Sequence, residues 1–186
     1  MFVVFSMLLG CSNTDYAVPS SNEINKYSAP SSNEISKFIE DNNVNVVAVE
    51  NIEDVISVII FINKGSAGYF MLYKDGSGTI RDKKVWGELL ENSPVYLSGS
   101  ATNYPFVTIL LNEKLIKGAS YAEVTFRDGT KVTKKFSKSI GVIVPYGKVI
   151  NGDMQMENVF IYNNSNSVIY NKALNNGCQI GVSSLR

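Results

Sequence analysis

Histidine is absent from this sequence, and its absence excludes several kinds of chemistry. Histidine is the commonest general base, the usual activator of a nucleophilic Ser or Cys, and the commonest zinc ligand. Cysteine is nearly absent too, because Cys11 and Cys178 are the only two. Two cysteines are too few for a disulfide framework or a thiolate metal cage. We therefore expect no metal, no cofactor and no catalysis that depends on histidine.

Net charge is also lacking, because 17 Lys and Arg residues balance 17 Asp and Glu residues. A protein that binds nucleic acid by neutralising phosphates needs a basic excess, so we expect no nucleic-acid partner. Phosphate-binding glycine motifs and the Gly-x-Ser-x-Gly nucleophile motif are missing as well. What the chain has is apolar sequence, which makes up 45% of its 186 residues and is enough for a folded core.

The first ten residues, Met1 to Gly10, are uncharged and almost wholly apolar, and they end at Cys11. This run is too short to span a bilayer but fits the apolar core of a signal peptide. Leu8-Leu9-Gly10-Cys11 resembles the lipobox of bacterial lipoproteins, and the resemblance is limited to these four residues and the apolar stretch before them. It implies a signal peptide over 1–10, diacylglycerol on Cys11, and a protein anchored at the extracytoplasmic face of the cell membrane.

Two alternatives remain open at this end of the chain. Phe2-Val3-Val4-Phe5 has high β propensity, so the segment is also compatible with a buried amino-terminal strand. Without lipid on Cys11, a disulfide between Cys11 and Cys178 becomes possible.

Residues 11–43 are rich in Ser and Asn and contain an eleven-residue repeat, Pro19 to Tyr27 and then Pro30 to Phe38. Each copy carries the Ser-x-x-Glu pattern that caps a helix start. We interpret the segment as a disordered or short-helical tether whose part from about 31 to 41 docks on the body as a helix. A pair of partner-binding helices is the alternative.

From residue 44 to 186 the chain predicts a β-rich globular domain. Short runs of Val, Ile, Tyr, Phe and Thr alternate with polar turns, which is typical of an antiparallel β-sandwich. Asp128-Gly129 predicts a type I′ hairpin turn. Residues 95–172 resemble the immunoglobulin-like or fibronectin-like modules of bacterial surface proteins. The segment 44–85 either enlarges that sandwich or forms a small sheet beside it, and the segment 85–90 is compatible with a helix or with a strand and loop.

The first candidate binding patch is a run of lysines over 131–138, in a stretch that has no acidic residue between 129 and 152. It could contact anionic lipid, wall polymer or an acidic partner; the alternative is a solvated hairpin whose lysines protect a sheet edge. Strict alternation puts Lys134 on the face of Val132 and Phe136, which predicts an edge or bulged strand. The patch comprises Lys131, Lys134, Lys135 and Lys138.

Two tyrosines beside prolines, Tyr104 and Tyr146, are the aromatic side chains that we expect to be exposed for a contact. The other aromatics fall mostly within strand runs, where they usually build the core or cross-strand pairs rather than a carbohydrate-stacking face.

Acidic residues gather at one predicted turn, where Glu50, Glu53 and Asp54 lie close in sequence. They fit a solvated turn between strands, and also the paired carboxylates that a glycosidase needs. Taken together, the sequence predicts a non-catalytic binding module of the cell envelope, held by Cys11, whose partner is an envelope protein or wall polymer. The alternatives are an envelope hydrolase that uses carboxylates, or a small inhibitor or immunity protein.

Overall fold

A computed structural model describes residues 27–89, 93–101, 103–137, 139–151 and 154–173. These residues form two helices and eleven strands. The helices are α1 (Ser32–Asp41) and α2 (Glu113–Ile116), and the strands are β1 (Val46–Ile52), β2 (Ile56–Asn63), β3 (Ser66–Lys74), β4 (Ile80–Glu88), β5 (Val95–Ser100), β6 (Phe106–Leu111), β7 (Tyr121–Phe126), β8 (Lys131–Lys135), β9 (Gly141–Pro145), β10 (Met156–Tyr162) and β11 (Val168–Ala173).

The strands form three antiparallel sheets. The amino-terminal sheet has the order β1-β2-β3-β4, the central sheet β5-β6-β9, and the carboxy-terminal sheet β11-β10-β7-β8. Every neighbouring pair of these strands is antiparallel. The prediction of an all-β antiparallel sandwich is confirmed. The three strands of the central sheet face the four strands of the carboxy-terminal sheet across a shared core.

The central sheet is covered on both faces, which explains why β6 is apolar except for Thr108. All six residues of Phe106–Leu111 are buried. Because side chains alternate along a strand, Phe106 and Leu110 pack toward the amino-terminal sheet, while Val107 and Ile109 pack toward the carboxy-terminal sheet. Continuous apolar strands are usual in parallel sheets, which are buried on both faces. Here an antiparallel sheet has the same pattern for the same physical reason.

The segment from 44 to 85 forms most of the amino-terminal sheet, which stacks on the central sheet. Ile56, Val58 and Ile60 of β2 share one core with Phe106 and Ile143. The last strand, β4, continues to Glu88, so the strand interpretation of 85–88 is correct and the helical one is wrong. Val85 is buried and the adjacent Trp86 is exposed, as the alternation of side chains along a strand requires.

The predicted helix near 31–41 is present and docks on the outer face of the amino-terminal sheet. Ser31 caps α1: its side chain accepts from the Glu34 N–H, and the Glu34 carboxylate accepts in return from the Ser31 backbone. The Ser31 hydroxyl also donates to the Glu34 carboxylate at 2.7 Å, and this hydrogen bond, followed by those from the Ser31 backbone and from Lys74, lowers the pKa of Glu34 to about 2. Ile35, Phe38 and Ile39 then pack against a core that includes Phe70.

The chain is already attached to the body before α1 begins. Ser28 forms a β-bridge with Lys74, and the Ala29 N–H donates to the Asp54 carbonyl at 2.8 Å. The ring of Tyr27 meets that of Tyr73 edge-on, with centroids 5.3 Å apart. Residues 27–43 therefore belong to the folded body, whereas the first copy of the repeat lies outside the described residues except for Tyr27.

The hairpin between β7 and β8 is present, but the predicted turn type is wrong. The Phe126 N–H donates to the Thr130 carbonyl and the Gly129 N–H to the Phe126 carbonyl, which encloses a three-residue loop. A type I′ turn needs positive φ at two consecutive residues; Gly129 has φ of 82°, whereas Asp128 does not lie in that region. Gly129 instead takes the left-handed position of a type I turn with a bulge.

Candidate functional site

Strand β8, which carries the basic run, is an edge strand of the carboxy-terminal sheet. It pairs with β7 in regular register from Thr125↔Lys131 to Tyr121↔Lys135, so the edge alternative is correct and no bulge shifts the alternation. Lys131 and Lys135 are exposed on the outer face, while Lys134 is half-buried on the side of Val132. Lys138 lies outside the described residues.

The structure separates the described lysines by their partners. Lys134 Nζ donates to Glu50 Oε1 at 2.7 Å, which ties β8 to β1 of the amino-terminal sheet. Lys131 Nζ lies 3.5 Å from Glu123 Oε1 on the neighbouring strand. In the part of the chain that the structure describes, no carboxylate lies within 4.0 Å of the Lys135 ammonium group. Lys135 is thus the described lysine of the run that is free to meet an external anion.

Tyr104 and Tyr146 are both buried, so the prediction that they are exposed is wrong. Each lies where the start of β6 meets the end of β9, since the Tyr146 N–H donates to the Pro105 carbonyl. Tyr104 packs in the core beneath the amino-terminal sheet, and its hydroxyl has no hydrogen-bond partner among the described residues. A neighbouring proline indicated a loop, but both loops fold inward between two sheets.

Tyr146 also fixes the turn next to the basic strand. Its ring meets Phe126 edge-on at 4.8 Å, and its hydroxyl donates to the Asp128 carboxylate. This hydrogen bond, followed by those from the Thr130 backbone and hydroxyl, lowers the pKa of Asp128 to about 2.

The free energy of unfolding should depend on pH in part through the titration of the Asp128 carboxylate. Because its pKa is about 2 in the folded protein and about 3.9 in an unfolded chain, its contribution is complete above about pH 4 to 5 and is lost as the pH falls toward about 2. We expect Asp128→Asn to reduce the loss in free energy of unfolding between about pH 5 and pH 2, measured by urea denaturation. Glu157→Gln, on the exposed side of β10, is the matched control. Wild type and Asp128→Asn having equal pH dependence would contradict the assignment.

An aromatic cluster that the sequence reasoning missed lies on the outer face of the carboxy-terminal sheet. Tyr121 of β7 pairs with Tyr162 of β10, and their rings stack with centroids 4.7 Å apart and planes 9° apart. Phe160 follows at 6.3 Å from Tyr162. All three are partly exposed, because the core-facing positions of these strands are Ala122, Val124, Val159 and Ile161. The period-two pattern of β7 was the available signal.

Beside this cluster lies an open, shallow groove of about 450 Å³ on the outer face of the paired strands β7 and β8. We call it the tyrosine groove; it is lined by Tyr121, Glu123, Thr133, Lys134 and Lys135. It combines an aromatic ring, a hydroxyl, a carboxylate and an ammonium group within one shallow surface. Burial, followed by the nearby Glu123 carboxylate, raises the pKa of Tyr162, so the Tyr162 hydroxyl remains neutral at physiological pH.

The acidic residues Glu50, Glu53 and Asp54 lie at the β1–β2 turn, as the solvated-turn interpretation has it. Glu53 and Asp54 form the tip, and both have φ of 53°. Asp54 Oδ1 accepts from Asn51 Nδ2 at 3.0 Å, while Glu50 is paired with Lys134. Two of the three carboxylates, those of Glu50 and Asp54, are therefore engaged by other side chains. Within the described ranges, no three acidic or cysteine side chains gather closely enough to hold a metal ion.

Comparison with known proteins adds no relative to this description. A scan against protein-family models, a search of curated proteins and a search of solved structures each returned no match. None of the helices in the described part of the chain is long and apolar enough to cross a membrane.

Proposed function

We propose that this protein is a lipid-anchored, non-catalytic binding module on the extracytoplasmic face of a cell membrane. The observation that carries the binding role is the tyrosine groove, an open surface on which Tyr121, stacked on Tyr162, lies beside side chains of unlike charge. An exposed aromatic surface of this kind favours recognition over catalysis, because contacts of aromatic rings provide binding energy without proton transfer. Its target is a component of the cell envelope.

The anchor in this proposal is Cys11, which lies outside the described residues. The resemblance of Leu8-Leu9-Gly10-Cys11 to a lipobox supports it. Two acyl chains on one cysteine would hold the protein durably, since each buried CH₂ contributes about 0.8 kcal/mol.

The docking of Tyr27 limits how far the body can lie from such an anchor. From Cys11 to Tyr27 the chain has about 16 peptide steps, which reach at most about 55 Å when fully extended. The tether predicted from sequence ran to residue 43, so attachment at Tyr27 and Ser28 shortens it substantially. In this proposal the tether meets the body near Tyr73 and Lys74.

We expect Cys11→Ser to move the protein from the membrane fraction to the soluble or unprocessed fraction. The lipid is joined through the cysteine thiol, so the loss should be nearly complete. Fractionation with immunoblotting measures the distribution, and mass spectrometry of the wild type should find diacylglycerol on residue 11.

Cys178→Ser is the matched control, and it should leave membrane attachment unchanged. If both serine variants lower the free energy of unfolding equally and the wild type carries no lipid, the disulfide alternative holds instead. A membrane-associated mature protein that retains an unmodified Met1 would overturn the proposed anchor.

A further inference from the structure

We propose that the tyrosine groove binds an acidic polysaccharide, with a sugar ring against Tyr121 and a negatively charged substituent at Lys135. This inference rests on the proposed function and names the class of envelope component that the module recognises. It uses three features of the groove: the face of the Tyr121 ring that is turned away from Tyr162, the polar side chains Glu123 and Thr133, and a cation with no carboxylate partner among the described residues.

The aromatic wall is provided by Tyr121. Tyr162 on β10 covers one face of its ring at a centroid distance of 4.7 Å. Because β8 lies on the opposite side of β7 from β10, the other face is directed toward the groove. A flat ring face suits the apolar C–H face of a pyranose, whose contact removes apolar surface from water. The stacked partner also fixes the ring, so little side-chain freedom is lost on binding.

The polar groups of the groove match the outward hydroxyls of such a ring. Thr133 pairs directly with Glu123 across β7 and β8, so its hydroxyl and the Glu123 carboxylate lie side by side. The hydroxyl can donate or accept, and the carboxylate accepts. Sugar hydroxyls that leave water need such partners, because an unpaired buried hydroxyl is costly.

The charge of the groove favours an anion. Glu123 is engaged by Lys131 at 3.5 Å, and Lys134 is engaged by Glu50 at 2.7 Å. Among the described residues, Lys135 is left without a carboxylate, directly opposite Tyr121 in register. No acidic residue lies between 129 and 152, so the local sequence offers it none. A carboxylate or phosphate group on a sugar would complete this pattern of ion pairs.

The test is equilibrium binding of the full chain by isothermal titration calorimetry at low and high salt. The probes are polygalacturonate and phosphomannan, which carry carboxylate and phosphate groups respectively, with neutral dextran, polyglutamate and vesicles of an anionic phospholipid for comparison. We expect binding of at least one acidic polysaccharide, roughly tenfold weaker binding of dextran, and no binding of polyglutamate or vesicles. Added salt should weaken the binding, because the contact at Lys135 is exposed.

Variants assign the binding to the groove. Tyr121→Ala should weaken it about tenfold or more, while Tyr121→Phe, which keeps the ring, should stay within about threefold of wild type. Thr133→Trp fills the groove from an exposed position and should abolish binding with an unchanged unfolding midpoint. Lys135→Gln should reduce both affinity and salt dependence. Lys64→Gln, an exposed lysine in the β2–β3 turn, is the matched control and should change neither.

The outcomes separate the ligand class from the proposed function. Equal binding of dextran, polyglutamate or vesicles would overturn the acidic polysaccharide as ligand. Failure of both acidic polysaccharides, with retention on purified envelope material that Thr133→Trp abolishes, would overturn the ligand class and leave the binding function standing. Absence of binding to the polysaccharides and to envelope material alike would overturn both. Polysaccharide binding that Thr133→Trp and Tyr121→Ala do not change would place the site elsewhere.

Discussion

Gly99→Ala is expected to destabilise the fold by about 3 kcal/mol or more. Gly99 has φ of 154°, a conformation that side chains disfavour. A Cβ at this position would lie 2.1 Å from the Phe106 carbonyl oxygen and 3.1 Å from Val107 Cα, on the paired strand. These are backbone atoms, so no change of rotamer relieves the overlap and the two strands must move apart.

The strain would spread beyond one strand pair. The Gly99 carbonyl accepts a hydrogen bond at 2.8 Å from the hydroxyl of Tyr69, which belongs to the amino-terminal sheet. Moving β5 would stretch this buried contact, in which burial holds the pKa of Tyr69 well above its usual range and keeps its hydroxyl protonated as the donor. Gly99 therefore links the pairing of β5 with β6 to the stacking of the central sheet on the amino-terminal sheet.

Urea denaturation followed by fluorescence measures the change, and Gly129→Ala is the matched control. Gly129 has φ of 82°, and a Cβ added to it would meet no atom within 4 Å, so only left-handed strain of about 1 kcal/mol applies. Equal losses for the two variants would mean that the close approach at Gly99 relaxes freely.

The sequence predicts the strands well because their signal is local. The runs of β-branched and aromatic residues and the turns between them locate most strands. The helix α1 follows from one capping box, Ser31 with Glu34, and an apolar face at Ile35 and Phe38. Each of these features is decided by residues fewer than ten positions apart.

The stacking of the sheets has no such local signal. The run Phe106–Leu111 shows that β6 is buried on both faces, but only the fold shows which sheets cover it. Tyr104 and Tyr146 were misplaced for the same reason, because their burial depends on the central sheet lying between two others. Burial that results from the stacking of sheets cannot be derived from a neighbouring proline in the sequence.

The candidate site was found in part. The sequence indicates the lysines and the edge strand, but the partner of Lys134 is Glu50, 84 positions away. The stacking of Tyr121 on Tyr162 requires the β7–β10 register, which an irregularity between Met156 and Asn158 shifts. A register of this kind depends on the whole sheet, so strand propensities alone predict the two tyrosines without their pairing.

Phe106→Ala is expected to cost about 3 to 5 kcal/mol, because it opens a cavity between two sheets that cannot close independently. Phe106 is 1% exposed, and its ring meets Tyr69 edge-on with centroids 5.1 Å apart. Its neighbour Val107 lies in the core on the other side of the same strand. The amino-terminal sheet therefore cannot move in to fill the cavity without disturbing a strand that the carboxy-terminal sheet also holds.

The measurement is urea unfolding monitored by Trp86 fluorescence and by far-ultraviolet circular dichroism, with Phe160→Ala as the matched control. Phe160 lies partly exposed on the outer face of β10, so the same truncation there should cost about 1 kcal/mol or less. Because Phe106 and Val107 link both cores through one backbone, the two probes should report a single transition in the wild type and in Phe106→Ala. Separate transitions would show instead that the amino-terminal sheet unfolds on its own, and the loss on truncating Phe106 would then fall on that sheet alone.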